Sequence, residues 1–199
     1  NSLYAARELA ALLGAQVKYI PAELKAKRFA CAEEIVGFVY PVYCWCAPGI
    51  VETFIKNLDF QGSPHIFAVA NFGGSCGYAL GHIEKVLAEK GLKMAAGYKI
   101  KMPSNYLPLP GVKPAEKCAK IFSRNTVGIN EIAAQVSGRH TGPVPRGLLL
   151  PTLALAFLRK FVVSNTGSWD TAFHLNGNCN SCGICVKVCP ADNIELSAG

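Results

Sequence analysis

The chain has 199 residues, an apolar fraction of 51% and only 17% charged residues, a balance that excludes disorder and predicts a compact protein with room for one full domain and a small appendage. No signal peptide is read at its start, and its most apolar stretch, Leu148 to Leu158, is broken by Pro151 and falls short of the ~20 residues a membrane span needs, so no membrane association is expected. The net charge of +7 is densest where Lys85, Lys90, Lys93, Lys99, Lys101, Lys113, Lys117, Lys120 and Arg124 meet only Glu84, Glu89 and Glu116; with no nucleic-acid motif and no regular aromatic interleaving, nucleic acid is not an expected partner, and a solvated surface or an acidic partner remains.

The opening residues Ser2 to Leu13 place Ala5, Ala6, Leu9, Leu12 and Leu13 on one helical stripe, with Ser2 near the N-cap and Gly14 as the stop. A short strand is predicted at Ala15 to Ile20, followed by a turn region around Pro21. Ile35 to Tyr40 is apolar on both faces, as a central parallel strand requires, and Pro41 ends it. Pro48 fits the first turn of a helix carrying Ile50, Val51, Phe54, Ile55 and Leu58. A second buried strand, His65 to Ala70, leads into the loop Asn71-Phe72-Gly73-Gly74-Ser75-Cys76-Gly77, then a helix bearing Leu80, Ile83, Val86 and Leu87 that stops at Gly91. Lys93 to Met102 reads as the last strand, and a Pro-rich stretch leads to a helix from Ala115 to about Ser137. A Pro/Gly break at Thr141 to Gly147 reads as a linker, and Leu148 to Phe161 as a further helix.

Alternation of this kind predicts an α/β fold, a doubly wound parallel sheet with helices on both faces, whose ligands bind at the carboxyl ends of the strands. Asn1-Ser2, Pro41 to Ala47 and Asn71 to Gly77 must gather at that edge. The first offers a helix N-terminus and a hydroxyl for a phosphate, the second the aromatics Tyr43 and Trp45, the third a Gly-rich backbone that can approach a flat ring. Each is also readable as ordinary turn and edge chemistry. His65, His82, His140 and His174 lie at a strand start, on a helix, in the linker and ahead of the cysteine segment, and read as structural or surface residues; no acid-base pair or nucleophile is evident.

Of nine cysteines, Cys31, Cys44, Cys46, Cys76 and Cys118 show no pairing pattern, which predicts reduced thiols and a cytoplasmic protein. The other four form Cys179-x-x-Cys182-x-x-Cys185-x-x-x-Cys189-Pro190, the bacterial ligand run of a 4Fe-4S cluster, with Gly183 in a tight loop between the three closely spaced thiolates. A zinc site would more usually show two Cys-x-x-Cys knuckles separated by a long spacer, and a disulfide set fits the compartment less well.

With these segments together, the chain resembles the flavodoxin-ferredoxin fusion family, in which a flavodoxin-like FMN domain precedes a two-cluster bacterial ferredoxin domain. Asn1-Ser2-Leu3-Tyr4-Ala5-Ala6 is similar to the end of that family's phosphate loop. Pro41-Val42-Tyr43 through Pro48-Gly49 is similar to its second flavin loop, and Asn71 to Tyr78 to its third. Met102-Pro103-Ser104-Asn105-Tyr106 also resembles a family feature, and Cys179 to Pro190 its first cluster motif. The resemblance implies an FMN-binding domain over 1–140, a linker with a helix over 141–172, and the first half of a ferredoxin domain over 173–199. It implies Asn1 and Ser2 at the FMN phosphate and Tyr43 and Trp45 on the ring. Pro41, Phe72 and Tyr78 belong to the flavin loops, and the backbone of Asn71, Gly73, Gly74, Cys76 and Gly77 sets the ring's potential. Cys179, Cys182, Cys185 and Cys189 would be metal ligands, the first three sharing a cluster whose fourth ligand comes from a later Cys-Pro. The family's first strand, its Gly-Thr-Gly and its second cysteine quartet are not in this sequence. A fragment of a longer protein is therefore expected, one that binds FMN poorly by itself. Three functions follow from the resemblance: an oxidoreductase joining two-electron flavin chemistry to one-electron clusters, a carrier with the same cofactors, or a flavin-free domain docking a ferredoxin. The partner would be a redox protein or a small electron donor or acceptor.

Overall fold

A computed structural model of the chain describes residues 1–104, 113–147, 174–175, 177–189 and 194–196. Its centre is a parallel sheet of β2 (Ile35–Pro41), β4 (His65–Phe72) and β5 (Met94–Lys101) in the order β2-β4-β5. A two-residue parallel pair, β1 (Ala30–Cys31) with β3 (Asp59–Phe60), lies outside it. β4 shows why the sheet is buried on both faces. Ile66, Ala68 and Ala70 enter one core, while Phe67 and Val69 enter the other, because successive side chains of a strand point opposite ways. The first core is closed by α3 (Gly49–Asn57) and α4 (Ala79–Glu89), which bury Val51, Phe54, Ile55, Leu80, Ile83 and Leu87. The second is closed by α1 (Ser2–Leu13) and α5 (Ala115–Ser137) through Ala5, Leu9, Ile129, Ile132, Ala133 and Val136. The expected α/β architecture, a parallel sheet with helices on both faces, is the one observed.

Several local expectations are corrected. Ala15 to Ile20 forms no strand: no described residue offers it a ladder, and Ile20 instead starts the short helix α2 (Ile20–Lys25), with Pro21 in its first turn where a missing N–H costs nothing. β2 is not central among the described residues. It pairs with β4 alone, and Gly37 is exposed while Ile35, Val36 and Val39 are half-buried. Leu12 is 52% and Ile50 44% exposed, so the buried stripes of α1 and α3 are narrower than their apolar composition. The helix expected at Leu148 to Phe161, and its join to the cysteine segment, lie outside the described residues.

α5 is longer than the sheet is deep. At 1.5 Å per residue its 23 residues span about 34 Å, yet its four buried positions all fall at or after Ile129. The Asn125 amide donates to the Lys101 carbonyl (2.8 Å) at the end of β5, while Gly142, just past the helix, donates to Ala95 (2.9 Å) near the start of that strand. α5 therefore runs antiparallel to β5, and Ala115 to Arg124 overhangs the carboxyl edge of the sheet by about 15 Å.

Candidate functional site

Parallel strands end together, so Pro41, Phe72 and Lys101 meet at one rim, where α1 also begins. Asn71 ties these ends. Its side chain, in a residue only 3% exposed, donates to Ser2 Oγ (2.6 Å) and to the Tyr40 carbonyl (2.9 Å). The Asn1 side-chain amide donates to the Pro103 carbonyl (2.8 Å), Val42 N–H to Asn71 O (2.9 Å), and Met102 N–H to Phe72 O (2.8 Å). The structure thus brings Asn1, Ser2, Pro41, Asn71 and Phe72 together. The first turn of α1 has no side-chain cap, so its leading N–H groups remain unbonded by a cap at the rim. Sequence reasoning placed Asn71 here for its backbone and missed its amide; a polar residue ending a wholly apolar strand was the available signal.

The second loop is a two-residue reversal. Tyr43 and Cys46 exchange both backbone hydrogen bonds (3.0 Å each) around Cys44 at φ 47° and Trp45 at φ 61°. Two left-handed central residues define a type I′ turn, which favours Asn and Gly, so holding Cys and Trp there costs roughly 1 kcal/mol or more per residue. The third loop holds it. Tyr78 N–H donates to the Trp45 carbonyl (2.8 Å), and Gly77, at φ 53°, lies so close that a Cβ on it would sit 2.4 Å from Trp45 Cβ. Tyr43 is left 59% and Trp45 38% exposed beside the rim.

The glycines act differently from the expectation of free approach to a ring. Gly73 abuts Ser104, whose Cα would lie 2.9 Å from an added Cβ, and Gly77 abuts Trp45; only Gly74 has open space around it. Gly73 and Gly77 therefore let the loops approach each other. Cys76 is 6% exposed within the core, and burial pushes its thiol above the ordinary range. It is a packed core residue, and its carbonyl accepts from Ala79 N–H (3.2 Å) at the start of α4. Tyr78 is the N-cap residue of α4, with its ring over Gly81. Two cavities, of about 350 Å³ beside Glu84, Lys93, Val144 and Arg146, and about 200 Å³ beside Glu33, Glu34, Gln61 and Arg139, lie by the strand starts, and neither includes a candidate flavin residue.

Of the histidines, His82 pairs with Glu52 (3.1 Å) between α4 and α3, and burial lowers the pKa of His65; His140 and His174 are exposed. None joins the rim.

In the cysteine segment, Cys179, Cys182 and Cys185 are exposed and Cys189 is partly buried. Ser181 (φ 54°) and Gly183 (φ 73°) turn the chain sharply before the one-turn helix α6 (Ile184–Val188). Cys182 N–H donates to Asn180 Oδ1 (3.2 Å), and Lys187 N–H to the Gly183 carbonyl (3.1 Å). No group of three or more His, Cys, Asp or Glu among the described residues converges as a single-ion site requires. A cubane makes no such demand, because each thiolate binds its own iron at a separate corner. Cys179, Cys182 and Cys185, exposed at this spacing on a turning backbone, fit three corners of that group. Residues 175–195 match a 4Fe-4S binding domain. The segment is thus similar to iron-sulfur electron-transfer domains. No curated protein sequence matches the chain. Among solved structures it is similar to an azoreductase from Bacillus anthracis str. Sterne, at 14% identity and a TM-score of 0.34, over 66% of this chain and 62% of that one. No described helix is long and apolar enough to cross a membrane.

Proposed function

We propose that the chain passes electrons between FMN, held at the carboxyl rim of a flavodoxin-like sheet, and a 4Fe-4S cluster held by the cysteine segment. The observation that carries this reading is the match of residues 175–195 to a 4Fe-4S binding domain. On this reading Cys179, Cys182 and Cys185 supply three thiolates, and Cys189, extended at the end of α6, is the fourth cysteine of the set. When bound, the flavin exchanges electrons in pairs or singly, whereas the cluster takes them one at a time.

The rim residues have separate tasks. The uncapped first turn of α1, with Asn1 and Ser2, offers N–H and O–H donors to a phosphate. The strained turn holds Trp45 and Tyr43 exposed beside it, giving aromatic faces on which a flat ring can stack. The third loop, from Asn71 to Tyr78, fixes that turn through the Tyr78 hydrogen bond and presents backbone N–H groups at Gly74 and its neighbours. Pro41 and Phe72 end the strands from which both loops spring.

The test is anaerobic reconstitution, with iron, sulfide and FMN, of the complete polypeptide that carries this chain. The expected product is brown and contains iron and acid-labile sulfide, and its tryptophan fluorescence is quenched as FMN is titrated in, with the quenching weakened in Trp45→Phe and in Asn71→Leu. Zinc in place of iron, or a colourless protein, overturns the cluster; unchanged tryptophan emission and free FMN after gel filtration overturn the flavin site.

A further inference from the structure

The described cations fall into two groups. Lys18, Arg28, Lys56, Arg139 and Arg146 are each matched to a glutamate, namely Glu33, Glu23, Glu52, Glu34 and Glu84, whereas Arg7, Lys27, Lys85, Lys90, Lys93 and Lys187 make no salt bridge among the described residues. Between residues 99 and 124 every cation belongs to the second group. Lys99, Lys101, Lys113, Lys117, Lys120 and Arg124 face Glu116 as the sole acid of that stretch, and among the described residues none of the six makes a salt bridge.

The fold gathers three of them. Lys117, Lys120 and Arg124 fall at i, i+3 and i+7 of α5, one stripe of the helix, and all are exposed. The buried face of the same helix, through Ile129, Ile132 and Val136, lies more than a quarter turn away. All three cations ride on the segment that overhangs the carboxyl rim. Lys99 and Lys101 lie on the other face of the sheet, in register with Ala70 and Phe72 of the first core, where Lys99 acts electrostatically on Cys76. Lys117, Lys120 and Arg124 therefore form the basic surface on the α5 side of the rim that carries Asn1 and Ser2. Helix energetics do not account for them: cations in the first turns oppose the helix dipole, and α5 has none in its last turn, where they would be favourable.

We propose that this overhanging basic face of α5, carrying Lys117, Lys120 and Arg124, is the docking surface for an acidic redox protein. The identity of that partner as a redox protein rests on the electron-transfer reading above; the charge argument does not. A convex stripe of unpaired cations beside a redox centre suits a small, weak, salt-sensitive encounter that brings two centres together quickly. Nucleic acid is the poorer occupant. The stripe extends only about 10 Å along the helix, and the aromatic residues nearest it, Phe122 and Tyr98, are part of the packed core rather than a platform for bases.

The experiment measures binding of the full chain, by calorimetry, to an acidic plant-type 2Fe-2S ferredoxin, to basic cytochrome c and to a mixed-sequence single-stranded oligonucleotide. It is run at ionic strengths of about 0.02 M and about 0.5 M, where the screening length falls from roughly 20 Å to roughly 4 Å. The acidic ferredoxin is expected to bind at low salt and lose at least tenfold in affinity at high salt. The same loss is expected from Lys117→Glu/Lys120→Glu/Arg124→Glu, whereas Lys99→Glu/Lys101→Glu, which reverses charges on the opposite face of the sheet, should keep most of the binding, with urea midpoints unchanged in both. Equal binding by both charge-reversed variants, equal binding to cytochrome c, tighter binding to the oligonucleotide, or no binding at all overturns the proposal. Because the readout uses neither flavin nor cluster, a chain that reconstitutes both cofactors but shows no charge-dependent binding sinks this surface and leaves the proposed function standing. A chain that binds but reconstitutes nothing does the reverse.

Discussion

Replacing Gly77 with alanine isolates the coupling between the two loops at the rim. A side chain at φ 53° carries a left-handed penalty of about 1 kcal/mol. The new Cβ would also stand 2.4 Å from Trp45 Cβ and 2.7 Å from the Trp45 carbonyl oxygen, against the ~3.5 Å of an ordinary contact. Relief requires the turn to withdraw by about 1 Å, which breaks the 2.8 Å bond from Tyr78 N–H to that carbonyl, a further loss of about 1 kcal/mol. The stiffer unfolded chain returns roughly half a kcal/mol. The net expectation is a destabilisation of about 1.5 kcal/mol, to which any overlap strain left in the turn adds. Gly74→Ala is the matched control: its Cβ meets nothing within 4 Å, so a change under about 0.5 kcal/mol is expected. Urea unfolding followed by far-ultraviolet circular dichroism measures both variants. Indistinguishable midpoints for the two variants would show that the loops are not locked together through Gly77.

Other consequences are equally direct. Cys179→Ser, Cys182→Ser and Cys185→Ser should each abolish the cluster's visible absorbance and most bound iron, while Cys118→Ser, on α5, should leave the iron content unchanged; an iron count insensitive to the first three would remove the cluster assignment. Tyr40→Phe removes the buried hydroxyl that donates to the Ala79 carbonyl (3.0 Å) and should cost about 1 kcal/mol, whereas Tyr43→Phe, at an exposed position, should be silent in the same urea titration. The hydrogen bond from Lys18 (2.6 Å) holds the Glu33 carboxyl down to about 2. Its contribution is therefore present above the unfolded value of about 4.3 and disappears as pH falls toward 2. Both side chains are about half exposed, so Lys18→Met should lower stability at pH 7 by less than about 1 kcal/mol, and the two proteins should converge near pH 2; a gap that widens in acid contradicts this assignment.

Much of the sheet and its helices was legible because periodicity reports burial. Ile66 to Ala70 is apolar on both faces and serves two cores, and Leu80, Ile83, Val86 and Leu87 mark the inner side of α4 as spaced. Where neighbours decide, the local pattern misled. Ala15 to Ile20 has a strand's composition but no ladder among the described residues, and Pro21 signals a turn as readily as the helical first turn it occupies. At the rim, loop positions were readable from topology, since parallel strands end together, but individual tasks were not. That Gly73 and Gly77 serve contacts with Ser104 and Trp45, and that the Asn71 side chain binds Ser2, depends on distances between segments remote in sequence. The cysteine spacing needed no such context, being entirely local.

The tie between Asn71 and Ser2 has a chemical polarity. Because the Asn71 amide nitrogen donates to Ser2 Oγ (2.6 Å), one lone pair of that oxygen is engaged, and the hydroxyl can turn its own proton outward as a donor. Together with the leading amides of α1, this makes the rim a giver rather than a taker of hydrogen bonds. Species rich in lone pairs are welcome there, and an ammonium group in the same place would find protons facing protons.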